Sequence, residues 1–439
     1  MKTGSAVFIG LDDTDSPDGM CTTYLAMRIA RSIQRFGGTV SDMQLVRLNP
    51  TIPYKTRGNA ALCIEAHNVD PEWVYLCARD LIARYADLSC ENTNPGLVVC
   101  SKRPNPSFYQ QAVTGFCTVE EAKAFVLPVA LYIEGWKCER GLIGAVAAVS
   151  AQFPDETWEM LVYRPSVSFG TERTVDTNTL ILADLVTRPH TWDTYDEREQ
   201  VAVCVPHTPD PVLYGIRGDS PFAVAQAVGC ISAEPMEDMC LFRTNQGTDA
   251  HIIDAIGTNG VPLEEGRSYK ISGTVISIPV TRRGGHVRIE LAYDAISEDR
   301  VFEDKDSEGE GCKVRVPCMA YEPTKSFRTI IRSLIPGDQI EAYGSYVHET
   351  LNLEKIHLIH CYEKEIVQAP MCDHCTKRMT SNGTGKGYKC RKCGTKKAVA
   401  EFLTQERDVK PGWYEVSSIA RRHLAKPLIR GMNELKTKN

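Results

Sequence analysis

Apolar and polar residues near the start of the chain alternate between strand-like runs and helical spacing. The apolar run at 5–11 predicts a buried strand, and apolar residues at 24–36 recur at helical spacing with arginines between them. A strand-like run at 61–67 and an amphipathic stretch at 71–86 repeat this order. The pattern therefore predicts that residues 1–118 form an α/β domain.

The next segment, 119–262, also mixes strands with helices, but in shorter units. Strand-like residues at 211–219 and 238–251 flank a helical stretch at 220–229. Short β-α-β units of this kind are typical of a ferredoxin-like arrangement. We therefore predict a ferredoxin-like domain here, with elements that can interleave with those of the first domain.

After the second segment the pattern changes to strands that alternate apolar and polar residues. Residues 270–291 predict a hairpin around an Arg-Arg-Gly-Gly turn, and three further strand-like runs follow. A short helical stretch at 324–334 lies between the third and fourth strands, where a five-stranded OB-fold barrel commonly carries its helix. We predict an OB-fold over 263–366 and a separate C-terminal unit over 367–439.

The composition is that of an ordinary globular protein, with 43% hydrophobic and 24% charged residues among 439. No apolar run is long enough to cross a bilayer, and the N-terminal residues lack the apolar stretch of a signal peptide. We therefore expect a cytoplasmic protein that uses no membrane, and no obligate protein partner is evident. In a reducing compartment, its 17 cysteines are not expected to form disulfides.

Charge is distributed unevenly along the chain. The whole sequence carries a net charge of −6, which argues against a uniformly basic nucleic-acid binder. From Cys372 to the C-terminus, however, 16 lysines and arginines face only 6 acidic residues. Such asymmetry indicates a basic appendage for a polyanion on a more acidic body, although a solvated lysine-rich tail has the same composition.

The most specific motif is a pair of C-x-x-C knuckles in this basic region. Its cysteines are Cys372, Cys375, Cys390 and Cys393. Four thiolates without a free position predict a structural zinc site in a ribbon, rather than a redox pair. Lys389 and Lys392 beside the second knuckle favour contact with nucleic acid, while a protein-binding ribbon remains an alternative.

Three aspartates occupy four positions directly after the first predicted strand. They are Asp12, Asp13 and Asp15. Their carboxylates predict a magnesium site, held chiefly by Asp12 and Asp13, beside a nucleotide phosphate. Gly19 permits a close backbone approach to that phosphate, and the helix that opens near Thr22 and Thr23 presents free N–H groups. An ordinary capping loop is the alternative, and no Walker motif occurs in the chain.

Several turns combine arginine, asparagine and glycine, as phosphate-binding turns do. The candidates are Arg57, Asn59, Arg173, Arg217, Arg243 and Asn245. Arginine can clamp phosphate with two parallel hydrogen bonds, but each of these side chains could equally form a surface salt bridge.

Segments that contain these candidates resemble those of the archaeal TiaS family, the tRNA 2-agmatinylcytidine synthetases. They include GLDDTDSPDGMCTTYLA at 10–26, RLNPTIPYKTRGNAAL at 47–62, HTPDPVLYGIRGDS at 207–220 and RTNQGTDAH at 243–251. The OB-fold and zinc ribbon follow in the order of that family. The similarity covers nearly the whole chain, and Tyr54 stands where a tryptophan is common in the family.

The resemblance implies an ATP-dependent ligase that joins agmatine to the wobble cytidine of isoleucine tRNA with a CAU anticodon, so that AUA codons are read. It implies a kinase-like catalytic domain that phosphorylates the cytosine 2-oxo group before the agmatine amine displaces the phosphate. Phosphorylation makes this oxygen a good leaving group, and phosphoryl transfer needs a metal and positioning more than covalent help. The family also phosphorylates a threonine that corresponds to Thr22.

The resemblance also suggests roles for the remaining candidates. Asp176 is expected to complete the catalytic set of Asp12, Asp13, Asp15 and Thr22. Phosphate binding is assigned to Gly19, Thr23, Arg57, Asn59 and Arg217. Agmatine or tRNA binding is assigned to Asp219, Arg243, Asn245, Asp249, Lys389 and Lys392. Two other classes remain open, namely a non-catalytic RNA-binding protein and a metal-dependent phosphohydrolase or nuclease.

Overall fold

A nine-stranded sheet runs through the N-terminal half of the chain. The computed structural model describes residues 6–55, 58–255, 262–294 and 313–431. The strands of this sheet are β1 (Val7–Asp12), β2 (Thr39–Arg47), β3 (Ala60–His67), β4 (Gly96–Cys100), β5 (Ala130–Gly135), β6 (Thr157–Tyr163), β7 (Thr191–Trp192), β8 (Val212–Gly218) and β9 (Asp238–Thr244). The helices around it are α1 (Thr22–Arg35), α2 (Pro71–Tyr85), α3 (Ser107–Thr114), α4 (Val119–Val126), α5 (Gly141–Ser150), α6 (Thr177–Thr187) and α7 (Pro221–Cys230).

The first half of the sheet has the order β5-β4-β1-β3-β2 and is covered on both faces. Helices α1 and α2 pack on one face, and α3, α4 and α5 pack on the other. This two-sided burial explains why β1 reads as a continuous apolar run rather than an alternating one. Helix α5 approaches the sheet closely, since a Cβ on Gly96 would lie 2.1 Å from the backbone nitrogen of Leu142.

The second half of the sheet has the order β9-β6-β8-β7, with α6 and α7 as its crossovers. These strands are antiparallel, and their order confirms the predicted ferredoxin-like arrangement. The two halves join where β2 pairs in parallel with β9, with Gln44 opposite Arg243. Strand β5 pairs within the first half of the sheet, and α5 packs on the same half. The predicted domain boundary at residue 118 stays a prediction.

A closed barrel follows the large sheet. The elements of this region are β10 (Ile252–Asp254), β11 (Arg267–Val275), β12 (Val280–Thr281), β13 (Val287–Asp294), β14 (Lys313–Ala320), α8 (Phe327–Ser333), β15 (Gln339–Val347) and β16 (Thr350–His360). The five longer strands close a barrel because β11 pairs with both β13 and β15, and β14 pairs in parallel with β16. Helix α8 lies between the third and fourth barrel strands, which confirms the predicted OB-fold.

The C-terminal region leaves the barrel and then returns to it. Its strands are β17 (Lys364–Gln368), β18 (Thr380–Ser381), β19 (Tyr388–Lys389), β20 (Lys396–Lys397), β21 (Glu401–Gln405) and β22 (Gly412–Glu415). Strands β17 and β21 pair as a stalk below the three-stranded ribbon β18-β19-β20, and β22 adds to β16 of the barrel. In the described part of the chain, no helix has both the length and the apolar character needed to cross a membrane.

Residues 416–431, here called the C-terminal segment, lie against the large sheet. The backbone N–H of Gly247 donates to the carbonyl of His423 at 2.8 Å, and that of Asp249 donates to Leu424 at the same distance. The polypeptide therefore returns to the N-terminal half after it has formed the ribbon.

Candidate active site

A cavity of about 400 Å³ opens where the two halves of the large sheet meet. Its walls come from the aspartate loop after β1, the start of α1, the end of β2 and the loop that follows it, and β6 and β8. The C-terminal segment contributes His423 to the same wall. Ligand sites commonly form at such junctions, so this cavity is the candidate active site.

All three loop aspartates line the cavity. Their predicted role as metal ligands stays a prediction. Asp12 ends β1, and Asp13 has a left-handed φ of 57°, so the chain turns sharply at this pair. One carboxylate oxygen of Asp12 accepts a hydrogen bond of 2.7 Å from the backbone N–H of Asp13. Helix α5 leaves room for this carboxylate only because residue 144 is glycine, since a Cβ there would lie 1.8 Å from Oδ2 of Asp12.

The environment of these carboxyl groups opposes their ionisation. Burial raises the pKa of Asp12 well above its ordinary value, and the neighbouring Asp13 raises it further. Burial also raises the pKa of Asp13 to about 6, although Arg140 opposes this effect. A divalent cation beside these groups would stabilise their ionised form, which burial disfavours. Carboxylate oxygens are also the ligand atoms that magnesium prefers. The donor set therefore fits magnesium.

Thr22 and Thr23 begin α1 and also line the cavity. The hydroxyl of Thr14 donates to that of Thr22 at 3.1 Å, while Thr23 contacts the sulfur of Cys21 at 3.0 Å. The side chain of the N-cap residue, Cys21, makes no capping hydrogen bond to the helix. Free N–H groups at a helix start attract anions, so α1 can bind phosphate here.

The opposite wall of the cavity carries two guanidinium groups around one carboxylate. Glu159 accepts from Nε of Arg217 at 3.0 Å and lies 3.8 Å from Arg47. Gln246 links Glu159 to Arg47. Its amide nitrogen donates to Glu159 at 2.6 Å, and its amide oxygen accepts from Nε of Arg47 at 3.0 Å. The cavity thus places Arg217, a predicted phosphate ligand, opposite the aspartates, and Asn59 also lines it.

Arg140 lines the cavity beside the aspartates and was not predicted from the sequence. Its guanidinium lies 3.5 Å from Asp13, donates to the carbonyl of Asn92 at 3.1 Å and lies over the ring of Tyr54 at 5.2 Å. It comes from the start of α5, which the sequence shows only as a helix of small residues. No local signal marked it, because its partners are distant in the chain.

His423 is another cavity residue that the sequence did not reveal. Burial lowers its pKa well below the ordinary value, and Arg47 and Arg217 lower it further. Its Nδ1 is buried and has no hydrogen-bond partner among the described residues. Its imidazole is therefore neutral at physiological pH.

Several predicted ligands lie outside the cavity lining. They are Gly19, Asp176, Asp219, Arg243, Asn245 and Asp249. Asp176 caps α6 by accepting from the backbone of Asn178 at 2.9 Å, and Asp219 contacts His190 at 3.1 Å. Their catalytic and agmatine-binding roles stay predictions that the cavity does not support. Arg57 lies outside the described residues.

The arginine and asparagine of the RTNQGTDAH motif have structural partners instead. Arg243 forms ion pairs with Asp42 and, at 2.9 Å, with Glu156. The amide of Asn245 donates to the carbonyl of Arg47 and to the hydroxyl of Tyr109, both at 2.9 Å. Arg173 likewise donates to backbone carbonyls of the loop before β8 and of Val212, the first residue of that strand.

Asp249 belongs to a contact with the barrel and the C-terminal segment. Its carboxylate pairs with Lys355 and accepts from the backbone N–H of Lys426 at 2.7 Å. The motif that contains Asp249 therefore holds the C-terminal segment against the sheet, and so positions His423.

The four knuckle cysteines meet in the ribbon as the sequence predicts. A ligand atom from each of Cys372, Cys375, Cys390 and Cys393 lies within 4.8 Å of the others. The sulfurs of Cys372 and Cys393 are 3.5 Å apart, close to the edge of about 3.8 Å expected for a tetrahedral zinc–thiolate site. Lys389 and Lys392 are exposed next to them.

Family models match three parts of the chain. They are described as the TiaS TCKD domain over residues 8–69, the TiaS FLD domain over 139–251 and the TiaS C-terminal zinc ribbon domain over 369–409. The first includes the aspartate loop, the second includes the ferredoxin-like half of the sheet, and the third includes all four knuckle cysteines.

Relatives and solved structures match nearly the full length. The 2-agmatinylcytidine synthetase TiaS of Methanocorpusculum labreanum, named for an isoleucine tRNA, is 43% identical over 99% of each chain. A crystal structure of TiaS with its isoleucine tRNA and ATP is 39% identical, with a TM-score of 0.84 and 97% of each chain covered. Another, with the tRNA, AMPCPP and agmatine, is 36% identical, with a TM-score of 0.83 and the same coverage.

Proposed function

This chain belongs to the TiaS family, and we propose that it joins agmatine to the wobble cytidine of isoleucine tRNA with a CAU anticodon, at the expense of ATP. The product, agmatidine, then reads AUA codons. One observation carries this proposal: a single cavity combines three aspartates, a helix start with Thr22 and Thr23, and the two arginines of the opposite wall.

The aspartate end of the cavity suits phosphoryl transfer. Asp12 and Asp13 would hold magnesium, with Asp15 beside them, and the metal would neutralise charge on the transferred phosphoryl group. The N-terminal N–H groups of α1 lie at the same end and favour an anion there, and Arg140 adds a positive charge near Asp13. These groups support phosphorylation of the cytosine 2-oxo group and of Thr22.

Agmatine carries a guanidinium group, which favours a carboxylate partner. Asp210 lines the cavity, whereas Asp219 and Asp249 do not. Hydrogen bonds of 2.8 Å from the backbone of Val212 and 3.3 Å from Arg173 already orient this carboxylate. We therefore favour Asp210 as the agmatine partner.

The ribbon and barrel are suited to the tRNA body. The ribbon is small, basic and joined to the rest by the β17–β21 stalk, so it can reach RNA away from the cavity. The wobble base itself must leave the anticodon stack to enter this cavity. A tRNA substrate agrees with a cytoplasmic location, which is part of this proposal.

The direct test is incubation of the purified protein with ATP, magnesium, radiolabelled agmatine and the tRNA transcript. We expect label in the tRNA, and none when the wobble cytidine is changed to uridine. If tRNA binds without incorporation, the chain is an RNA-binding protein of the same fold. If tRNA is cleaved or ATP is hydrolysed without any need for agmatine, the phosphohydrolase alternative holds.

A further inference from the structure

A network of ion pairs with alternating sign connects the barrel with the candidate active site. Its members, in spatial order, are Glu415, Arg421, Asp193, Arg217, Glu159 and Arg47. Neighbours in this ion-pair network are at most 3.8 Å apart, and the three arginines balance the three carboxylates. The first member belongs to β22 and the last to β2, so the network crosses from the barrel to the large sheet.

At the cavity end of the network, Arg217 lies between two carboxylates. Its Nε donates to Glu159 at 3.0 Å, and its Nη1 lies 3.8 Å from Asp193. The side chains of Glu159 and Asp193 are only 3% and 7% exposed, so water screens these contacts little. Arg217 and Glu159 line the cavity, whereas Asp193 does not. Asp193 therefore acts on the cavity only through its neighbours.

The backbone of Asp193 has a conformation that few residues adopt. Asp193 directly follows β7, in which Trp192 pairs with Arg217. Its φ of 56° is left-handed, a region that aspartate and asparagine tolerate better than most residues. Such a conformation persists where the surroundings of a residue over-determine it. The contacts of its carboxylate with Arg217 and Arg421 supply this constraint.

Arg421, in the C-terminal segment, connects Asp193 to the barrel. It forms ion pairs with Asp193 and, at 2.8 Å, with Glu415. Burial opposes the charge of Arg421, but the carboxylates of Asp193 and Glu415 outweigh this effect and raise its pKa. Glu415 also accepts from the backbone N–H of Leu428 at 3.1 Å, so it holds the C-terminal segment at two points. Loss of any one member would leave an uncompensated charge at its buried neighbours.

We propose that Asp193 and Arg421 are positioning residues that hold the guanidinium of Arg217 in its working orientation on the cavity wall. The proposal rests on the function above, which makes this cavity the active site. Arginine has a long, flexible side chain, and contacts at both Nε and Nη1 restrict its guanidinium more than Glu159 does alone. Because Arg421 belongs to the C-terminal segment, the orientation of Arg217 then depends on the docking of that segment. In the alternative, Arg421 only fastens the segment, and Arg217 keeps its orientation without it.

The test uses the full-length, zinc-loaded protein with Asp193→Asn. Asparagine tolerates the left-handed φ and has the same size, so the variant removes only the charge. Glu234→Gln is the matched control, because Glu234 pairs at 2.7 Å with the buried Arg164 outside the cavity lining. We expect the kcat of agmatine incorporation to fall about a hundredfold in Asp193→Asn, with tRNA affinity within twofold of the wild type. The control should lower the thermal midpoint and keep kcat within twofold.

Two further measurements separate positioning from a general loss of stability. If Asp193 acts through Arg217, Asp193→Asn should change kcat by less than about twofold when Arg217→Gln is already present. Arg421→Lys keeps a positive charge beside Asp193 and should therefore retain more activity than Arg421→Gln. A crystal structure of Asp193→Asn needs no activity, and it should show the guanidinium of Arg217 displaced by about 1 Å or more.

Wild-type kcat in Asp193→Asn, within twofold, would overturn the proposal, and so would an unmoved Arg217 in the structure of that variant. An equal loss of kcat in Glu234→Gln would also overturn it, because the loss would then follow from stability. A wild-type protein that binds tRNA but incorporates no agmatine would contradict the proposed reaction instead. In that case the position of Arg217 in the Asp193→Asn structure alone would decide whether Asp193 positions it.

Discussion

The aspartate loop after β1 and the cysteine cluster of the ribbon both gather ligand atoms for a cation, but they depend on the fold in different ways. The cysteines come from two knuckles of a small, largely exposed unit, and they meet through local hairpin geometry. The aspartates come from one loop, but their environment is built by α1, by α5 and by Arg140. In the ribbon a bound zinc would stabilise the fold, whereas at the proposed magnesium site the fold would position the aspartates before the metal binds.

This difference has a consequence for variants. Loss of a cysteine should unfold the ribbon and spare the cavity, because the described ribbon is joined to the rest of the chain through the β17–β21 stalk. Loss of an aspartate should leave the fold intact. Burial disfavours the charged form of these carboxyl groups, so that form contributes little to the free energy of unfolding.

The largest expected effect follows from Asp12→Asn. The amide keeps the size of the side chain but removes a metal ligand, so agmatine incorporation should fall by roughly a thousandfold or more. Affinity for tRNA, measured by filter binding, should be unchanged. Asp18→Asn is the matched control, because Asp18 is an exposed acid in the same loop. Unimpaired turnover by Asp12→Asn would refute the assignment of the metal site.

A second prediction concerns a variant that lacks the ribbon but retains the C-terminal segment. Gln368 pairs with Glu401 at the end of the stalk, so an Asn-Gly turn can replace residues 369–400 and close β17 and β21 as a hairpin. We expect tRNA affinity to fall and its salt dependence to become shallower, since Lys389 and Lys392 are removed. ATP affinity, measured by equilibrium dialysis, should be unchanged.

Truncation after Gln368 is the informative counterpart of that deletion. It removes the C-terminal segment as well, and with it His423 from the cavity wall. We expect it to abolish incorporation, whereas the hairpin variant retains activity at high tRNA concentration. Equal activity of the two shortened proteins would contradict a role for the C-terminal segment in the active site.

The third prediction concerns pH and the aspartate loop. The pKa of Asp13 is raised from 3.8 to about 6 in the folded protein, so its protonated form favours folding. Without magnesium, the contribution of this group to stability is therefore full below about pH 4 and is lost as the pH rises through about 6. Magnesium should reverse this loss, and its affinity should rise about tenfold per pH unit below 6.

Thermal midpoints between pH 4.5 and 7, with EDTA or with magnesium, measure this effect. The gain from magnesium should increase with pH in the wild type and should be nearly flat in Asp13→Asn. A constant gain across the range in the wild type would show that Asp13 does not exchange a proton for the metal.

The same contrast explains how much the sequence reveals. The four cysteines lie within one short stretch of sequence, and so do the three aspartates. Their spacing alone therefore predicts both clusters and the strand or hairpin that carries them. The OB-fold is also predictable, because its strands and helix follow in chain order. Arg140 and His423 give no such signal, since only the tertiary fold brings the start of α5 and the C-terminal segment to the cavity.

Some predicted ligands illustrate the opposite case. The motif RTNQGTDAH combines residue types that bind phosphate, but the same types also satisfy backbone groups at turns and junctions. In the structure Asn245 bonds to the backbone of β2, and Asp249 bonds to the barrel and the C-terminal segment. Residue type alone does not separate these two uses, because the difference lies in which buried partner is present.

The smallest expected effect is that of Asp249→Asn, which tests whether Asp249 has a structural role rather than a role in substrate binding. Asp249 has a left-handed φ of 60°, which asparagine tolerates, so the variant changes the charge and keeps the backbone. Lys355, whose side chain is only 7% exposed, would lose its carboxylate partner. We expect a loss of about 2 kcal/mol in stability, below the value for a fully buried pair because Asp249 is partly exposed. Asp254→Asn at a more exposed ion pair is the control and should cost about 0–1 kcal/mol.

Calorimetric midpoints measure both, and the KM for agmatine should stay within twofold in each. A large rise in this KM for Asp249→Asn alone, with no change in midpoint, would instead return Asp249 to the substrate site.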